Sequence, residues 1–307
     1  MITTRSKLQL ANWILVFALC LLTVGLAPNA HSDDNQLPTD PFYTFKEWAG
    51  PPIRVWFHLP TQFTPDSPIV FVMHGVGRDA DRYYAEWRDY AEQYQFALLV
   101  PEFSQRDFPK AAGYNLGNIF DTEGQMNPDT LWSFSALDPI FDAFASRVGS
   151  NRDAYRLYGH SAGAQFVHRF LFYKPNAKTE MIISANAGWY TLPKNSVEFP
   201  YGLKGSGINE ASLSPALQKN VIVLLGDEDT DPNHRSLRRT PEALAQGAHR
   251  FERGHTFYST AKNLAAKANI PFTWQRVIVQ GAEHSNAQMA AAAAPLLAQM
   301  TTSPERD

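Results

Sequence analysis

Short apolar runs alternate along this chain with longer segments in which apolar residues recur at helical spacing. Residues 69–73 and 221–225 are continuously apolar, which is typical of strands that are buried on both faces of a sheet. The alternation predicts the α/β class: a mostly parallel central sheet of about eight strands, with helices on both faces. Predicted strands are 53–59 (early and antiparallel, at an edge), 69–73, 96–100, 154–158, 180–184, 221–225 and 272–279. Predicted helices are 81–95, 131–148 (with a break near Pro139), 164–173, 254–268 and 285–300.

Two long segments, 102–130 and 186–213, break this alternation. Irregular segments of this length inside a compact domain are usually functional. Each follows a predicted strand at the end of the sheet where open α/β folds bind ligands. We therefore expect the aromatic residues Trp189, Tyr190 and Tyr114 to line a substrate pocket, with core packing as the alternative for each.

The first 30 residues have the pattern of a secretory signal peptide. Arg5 and Lys7 precede the apolar run 13–27, and small residues follow it. The run is shorter than the roughly 20 apolar residues of a membrane span, although an uncleaved N-terminal anchor is the alternative. The predicted organisation is a signal peptide at 1–30, a polar leader at 31–49 and one folded domain at 50–302. The predicted location is secreted or periplasmic.

Cysteine usage and charge exclude several classes of function. Cys20, inside the predicted signal peptide, is the only cysteine, so the exported chain has no thiol for a disulfide, a nucleophile or a metal ligand. Export without disulfides favours a bacterial periplasm or exterior. Without residues 1–30 the chain has 25 Lys and Arg against 30 Asp and Glu, a formal charge of −5. That balance does not indicate binding to nucleic acid or to an anionic membrane surface.

A glycine-flanked serine lies between a predicted strand and a predicted helix. Residues 159–163, Gly-His-Ser-Ala-Gly, match the pattern G-x-S-x-G. In this context the serine lies on a sharp strand-to-helix turn with its hydroxyl exposed. Gly159 and Gly163 leave the space that the tight backbone needs. Ser161 is therefore the predicted nucleophile.

A serine hydroxyl requires a base, and the base requires an acid that orients it. In this strand–turn–helix setting the acid and then the histidine follow the serine along the chain. His284 follows the last predicted strand after a glycine turn and is the predicted base, with His255 as the competitor. Asp229, past strand 221–225, is the predicted acid, with Asp231 and then Asp227 as alternatives.

Backbone N–H groups stabilise the negative oxygen that forms when a serine attacks a carbonyl. Ala162 follows the nucleophile at the start of a helix, and Val76 lies in the Gly-rich loop 74–78 after strand 69–73. Their amides are the predicted oxyanion hole, and His74 is expected to brace that loop. The chain has no H-E-x-x-H pattern, Cys/His cluster or nucleotide-binding P-loop pattern, so we expect no metal and no cofactor.

Four motifs occur in a characteristic order: His74-Gly75, the pentapeptide 159–163, Gly226 with Asp229, and Gly281 with His284. This combination resembles the α/β-hydrolase superfamily, over nearly all of the chain after residue 50. Within it the chain resembles exported single-domain esterases related to polyhydroxybutyrate depolymerases and to feruloyl or acetylxylan esterases. The resemblance implies an α/β-hydrolase domain without a large lid, which hydrolyses small or oligomeric carboxylic esters through an acyl-enzyme on Ser161. A peptidase or amidase with the same residues and a non-catalytic hydrolase-like binding protein are the alternatives.

Overall fold

The structure, a computed structural model, describes residues 39–299. A central sheet of eight strands organises these residues. The strands are β1 (Phe42–Phe45), β2 (Ile53–His58), β3 (Ile69–Met73), β4 (Ala97–Glu102), β5 (Tyr155–His160), β6 (Thr179–Ala185), β7 (Val221–Gly226) and β8 (Gln275–Val279). Their order across the sheet is β1-β2-β4-β3-β5-β6-β7-β8. β2 runs antiparallel to β1 and β4, whereas all other pairings are parallel.

Helices of very different length connect these strands. The α-helices are α1 (Ala80–Tyr94), α2 (Lys110–Gly113), α3 (Leu137–Val148), α4 (Ala162–Tyr173), α5 (Ser214–Leu217), α6 (Pro241–Leu244), α7 (Arg250–Ala268) and α8 (Asn286–Ala298). Among residues 39–299, three 3₁₀ turns accompany them, at Asp129–Leu131, Ser133–Ala136 and Glu210–Leu213. The helices α1 and α8 cover one face of the sheet, and α3, α4 and α7 cover the other.

The central strand β3 shows how this layering follows from the sequence. Successive side chains of a strand point to opposite faces. Ile69 and Phe71 accordingly pack in the core beneath α3, α4 and α7, whereas Val70 and Val72 pack with α1 and α8. Since both faces are covered, every residue of β3 is buried, and the predicted α/β class is confirmed. Because β3 and β5 to β8 run parallel, their carboxyl ends lie at the same end of the sheet.

The sheet begins earlier than the sequence pattern predicts. β1 lies within residues 31–49, the predicted leader, and pairs with β2 so that Phe42 faces Trp56. Tyr43 and Phe45 are buried in the core. Four residues are too few to show a clear strand alternation, which is why the pattern did not reveal this strand. β2 is antiparallel, as predicted, but is covered by β1 and is not the edge.

The segment 131–148 also differs from the prediction. Its helix, α3, begins only at Leu137, after two 3₁₀ turns. Pro139 lies in the first turn of α3, where backbone N–H groups have no intrahelical acceptor. The lack of an N–H in proline therefore removes no helical hydrogen bond, and Pro139 does not break the helix. The segments 103–128 and 186–209 are largely irregular, as predicted, and the first contains only the short helix α2.

Within residues 39–299, no helix has the length and apolar character to cross a membrane. The predicted signal peptide, residues 1–30, lies outside the described residues. Export of the chain stays a prediction from the sequence.

Candidate active site

Ser161 occupies a strained turn between β5 and α4. Its φ of 57° and ψ of −113° lie in a region that residues other than glycine rarely adopt. A side chain at Gly159 would collide with the carbonyl of Gly163, and one at Gly163 would collide with the carbonyl of Met73. The turn therefore requires both glycines, and it holds Ser161 at the carboxyl end of β5.

The hydroxyl of Ser161 is one end of a line of hydrogen bonds. Its Oγ is 3.0 Å from Nε2 of His284, and Nδ1 of the same ring is 2.7 Å from Oδ2 of Asp229. With Nδ1–H donating to the carboxylate, Nε2 is free to accept the hydroxyl proton. The side chain of Asp229 is only 2% exposed and that of His284 is 13% exposed. The structure thus brings together the serine, the histidine and the acid that the sequence predicted for this site.

The two alternative acids lie elsewhere. Asp231 is exposed, and its carboxylate accepts a hydrogen bond from the backbone N–H of Asn233. The carboxylate of Asp227 accepts a hydrogen bond of 2.7 Å from the backbone N–H of Gly281. Asp227 therefore fastens the turn that precedes His284, and it does not contact the imidazole.

Two further histidines clarify the assignment of the base. The competitor His255 lies on α7 with its ring against Phe251. His160, directly before the serine, has its ring 4.8 Å from that of His284, and its Nδ1 is 3.0 Å from the hydroxyl of Tyr83. Burial, with a smaller contribution from the charge on His284, lowers the pKa of His160 well below its ordinary value. A neutral imidazole therefore packs beside His284.

Arg250, at the start of α7, is a residue of the site that sequence reasoning missed. It donates to Oδ1 of Asp229 at 3.1 Å and to the hydroxyl of Ser236 at 2.9 Å, and its Nη2 lies 3.1 Å from Nδ1 of His234. Its side chain is 1% exposed. This buried guanidinium fixes one carboxylate oxygen and leaves the other for His284. No local pattern marks it, because it meets Asp229 only through the fold.

Asn186 is a second residue that the sequence pattern did not reveal. It directly follows β6 with a left-handed φ of 49°. Its side-chain oxygen accepts from the backbone N–H of Gly226 at 2.9 Å, and its Nδ2 donates to the carbonyl of Glu283 at 3.1 Å. Asn186 thereby ties the ends of β6 and β7 to the residue before His284.

The loop after β3 is held beside the serine by buried polar contacts. Because the backbone N–H of Phe103 donates to Nε2 of His74 at 3.1 Å, Nδ1 carries the proton and donates to the carbonyl of Gly75 at 3.1 Å. The ring of Tyr114 stacks on His74, and its hydroxyl donates to the carbonyl of His74 at 2.8 Å. His74 braces the loop as the sequence predicts, and Val76 lies at its tip.

Two cavities, of about 330 and 460 Å³, meet at Ser161. Both are lined by Val76 and Ser236; the smaller one is also lined by Ala162 and Trp189, and the larger one by His284. Volumes in this range are typical of sites for small molecules or short segments of an oligomer. The predicted oxyanion residues are thus in the wall next to the serine.

The three predicted pocket aromatics have different positions. Trp189 lines the smaller cavity. Tyr190 is fully buried with its ring stacked on Phe257 at 4.5 Å, and Tyr114 is fully buried behind loop 74–78. Neither tyrosine lines the cavities, which differs from the prediction. Hydrophobic character indicates burial, but it does not show which of two neighbouring residues faces a cleft.

No group of three or more His, Cys, Asp or Glu side chains suited to a metal ion occurs within the part of the chain that the structure describes.

Acid should destabilise the fold through His74. Burial lowers the pKa of this imidazole from 6.5 to about 4. Between these two pH values the imidazole is protonated in the unfolded chain but not in the folded chain. The free energy of unfolding therefore falls as the pH drops from 6.5 towards 4. One such proton changes it by about 1.4 kcal/mol per pH unit. The free energy of unfolding, measured with urea at each pH in this range, should fall less steeply with falling pH in His74→Gln than in the wild type, by the equivalent of about one proton. The same pH dependence in the two proteins would contradict this prediction.

The mostly parallel sheet, with a serine turn after β5 and a histidine after β8, defines an α/β-hydrolase. Solved structures of similar proteins agree with this fold. The chain is similar to poly(aspartic acid) hydrolase-1 from Sphingomonas sp. KT-1, with 42% identity over 84% of this chain and 98% of that one and a TM-score of 0.82. It is also similar to the poly(3-hydroxybutyrate) depolymerase LpqC from Bordetella parapertussis, with 33% identity over 80% of this chain and 83% of that one and a TM-score of 0.75. The chain therefore belongs to the α/β-hydrolase superfamily, in the group that contains these two enzymes.

A more distant S-formylglutathione hydrolase from Agrobacterium tumefaciens shares the fold, with 13% identity over 83% of this chain and 92% of that one and a TM-score of 0.54. No protein-family model and no curated protein matched the chain. The two similar enzymes are named for the breakdown of polymers, which supports a hydrolase related to depolymerases and esterases.

Proposed function

We propose that this protein is a serine hydrolase that cleaves carboxylic esters through an acyl-enzyme on Ser161. The observation that carries the proposal is the unbroken line of hydrogen bonds from Ser161 through His284 to Asp229. His284 takes the hydroxyl proton as Oγ attacks the ester carbonyl, and Asp229 stabilises the imidazolium that forms. The imidazolium then protonates the leaving alcohol. Water repeats these steps and releases the acid.

The backbone N–H groups of Val76 and Ala162 are the proposed oxyanion hole. Both residues line the cavity beside Ser161. Ala162 is the first residue of α4, where N–H groups have no intrahelical acceptor and the helix dipole favours negative charge. Each such donor contributes about 3 kcal/mol to the stability of the transition state.

The proposed substrate is a small or oligomeric ester, met outside the cytoplasm after export into a bacterial periplasm or medium. The signal-peptide pattern of residues 1–30 supports export. The open cleft formed by two cavities supports a substrate that extends on both sides of the cleaved bond.

Cleavage of amides at the same serine is the second candidate. It is favoured by the 42% identity to an enzyme named for the hydrolysis of poly(aspartic acid). Both reactions pass through a tetrahedral intermediate with a negatively charged oxygen, and the two intermediates differ in the group that must leave, an alcohol or an amine. The arrangement of Ser161, His284 and Asp229 serves either reaction.

A matched pair of neutral substrates separates the two candidates. Ethyl butyrate should be hydrolysed, whereas turnover of N-ethylbutyramide should stay near the uncatalysed rate, because an amine leaves far less readily than an alcohol. The measurement is kcat/KM for each compound with the purified protein. Comparable values for the two substrates would assign the site to amides instead.

A further inference from the structure

Helix α7 begins with two buried arginines, Arg250 and Arg253. Both lie in the first turn of the helix, where the helix dipole disfavours a positive charge. Burial of a cation is costly in itself unless its donors find partners. The hydrogen-bond partners of the two side chains therefore show why cations occupy these positions.

The partners of Arg253 are backbone carbonyls. It donates to those of Gly188, Gly247 and Arg238, at 2.6, 2.9 and 2.9 Å. Gly188 follows β6, Arg238 follows β7, and Gly247 precedes α7. Arg253 thus joins three loops around the site, and its hydrogen bonds do not include the predicted acid.

The partners of Arg250 are side chains. Nη1 donates to Oδ1 of Asp229 at 3.1 Å, and Nη2 donates to the hydroxyl of Ser236 at 2.9 Å. Since a guanidinium has no acceptor, Nδ1 of His234, 3.1 Å from Nη2, must accept, and the proton of this ring lies on Nε2. Burial, and then the charge of Arg250, lower the pKa of His234, in agreement with a neutral ring. Asp229 is therefore the only negatively charged side chain that Arg250 contacts among residues 39–299.

The carboxylate of Asp229 is divided between Arg250 and His284. Oδ1 faces the guanidinium at 3.1 Å, and Oδ2 faces Nδ1 of His284 at 2.7 Å. The side chain of Asp229 is 2% exposed, so water does not compete for either oxygen. A carboxylate that is held at one oxygen cannot rotate without breaking that bond. Arg250 therefore fixes the direction in which the other oxygen points.

We propose that Arg250 is a positioning residue that acts through Asp229: it aims Oδ2 at His284 and so keeps Nε2 of that ring in line with the hydroxyl of Ser161. The proposal rests on the proposed function, since it gives Arg250 a part in proton transfer at this serine.

Ser236 and His234 hold the other side of the guanidinium. Ser236 borders both cavities, and His234 borders the larger one. The segment that carries these two residues is thereby tied to the predicted acid through Arg250.

Arg250 also lies in the wall of the smaller cavity, which allows a second interpretation. Direct contact with the substrate would make it a binding residue, and its loss would then appear mainly in KM. Its side chain is only 1% exposed, and both of its Nη atoms are engaged by protein side chains. We therefore expect its loss to appear in kcat.

A double-mutant cycle with Asp229 tests whether Arg250 acts through the carboxylate. Arg250→Gln should lower kcat for p-nitrophenyl butyrate about 10- to 100-fold, with little change in KM, because a misplacement of about 1 Å near the reacting groups has an effect of this size. In the Asp229→Asn background, which lacks the carboxylate, the same change should have almost no effect on kcat. An equal loss in the two backgrounds, or a loss confined to KM, would overturn the proposal.

Arg250→Lys and Arg156→Gln are the matched variants. Lysine keeps the charge but lacks the planar fork, so it should retain part of kcat. Arg156 is also fully buried and forms an ion pair of 2.6 Å with Glu180, near the end of β5 that is remote from Ser161. Arg156→Gln should lower the urea midpoint and leave kcat unchanged. If Arg250→Gln does not fold, Arg250→Lys takes its place in both backgrounds of the cycle.

Proton NMR provides a readout that does not depend on turnover. The Nδ1–H of His284 should resonate far downfield, because its hydrogen bond of 2.7 Å to a carboxylate is short, and His284→Ala should lack this signal. Arg250→Gln should shift or remove the signal, whereas Arg156→Gln should not. An unchanged signal in Arg250→Gln would contradict the role of Arg250. A wild-type protein that shows the signal but does not hydrolyse the ester would contradict the proposed function instead.

Discussion

Replacement of Ser161 by alanine should lower kcat by about 10⁶-fold, the loss typical of removing the nucleophile of a serine hydrolase. The acyl-enzyme cannot form without Oγ, and His284 then has no hydroxyl to deprotonate. Alanine keeps the Cβ atom, and the hydroxyl of Ser161 contacts the side chain of His284 and not the buried core, so the fold should be preserved. The measurement is kcat for a short p-nitrophenyl ester, with circular dichroism and a urea midpoint as tests of folding.

Ser150→Ala is the matched control for this variant. Ser150 lies in the loop before β5, at the opposite end of the sheet, and its hydroxyl donates to the carbonyl of Pro65. The Ser150→Ala variant should retain full activity. If Ser161→Ala kept most of the wild-type activity while remaining folded, the nucleophile would have to be another residue.

Asp229→Asn should lower kcat by about 10⁴-fold, as expected when the acid of such a triad becomes an amide. A carboxamide can donate to Nδ1 of His284, which favours the ring tautomer with the proton on Nε2, where it cannot accept from Ser161. The guanidinium of Arg250 would also lose the charge that it pairs with. Activity against the same p-nitrophenyl ester measures the effect.

The other two aspartates of this loop are the matched controls for Asp229→Asn. Asp231→Asn should be close to wild type, because its carboxylate only caps the N–H of Asn233. Asp227→Asn should give a small loss, because it loosens the turn at Gly281 without touching the imidazole. If Asp231→Asn lost as much activity as Asp229→Asn, the assignment of Asp229 as the acid would be contradicted.

The residues that the structure brings together as the sequence predicts are those governed by local pattern and chain order. The turn at Ser161 needs small neighbours, and in this fold the predicted acid and base follow particular strands, so the meeting of Ser161, Asp229 and His284 could be inferred from position. The central strands were predictable for a similar reason, because burial on both faces leaves a continuous apolar run.

What the sequence could not predict depends on contacts between distant residues. Arg250 meets Asp229 from a helix 21 residues later, and no periodicity marks such a pairing. Tyr114 and Tyr190 are as aromatic as Trp189, yet the backbone turns them into the core. β1 is too short to show a pattern, although its pairing with β2 buries two aromatic side chains.

The basic lining of the smaller cavity, by Arg78, Lys110, Arg238 and Arg250, is a further example of this limit. The net charge of the chain is negative, and Arg78, Lys110 and Arg238 lie far apart in sequence among many acidic residues. Only the fold collects them beside Ser161. Composition therefore gives the net charge of the chain and does not reveal the local excess of basic residues beside Ser161.

Mass spectrometry of the protein after treatment with a fluorophosphonate shows whether His284 and Asp229 make the hydroxyl of Ser161 nucleophilic. We expect a single adduct per chain, located on the peptide that contains Ser161 and lost in His284→Ala. An unlabelled protein, or an adduct on a different residue, would contradict this expectation.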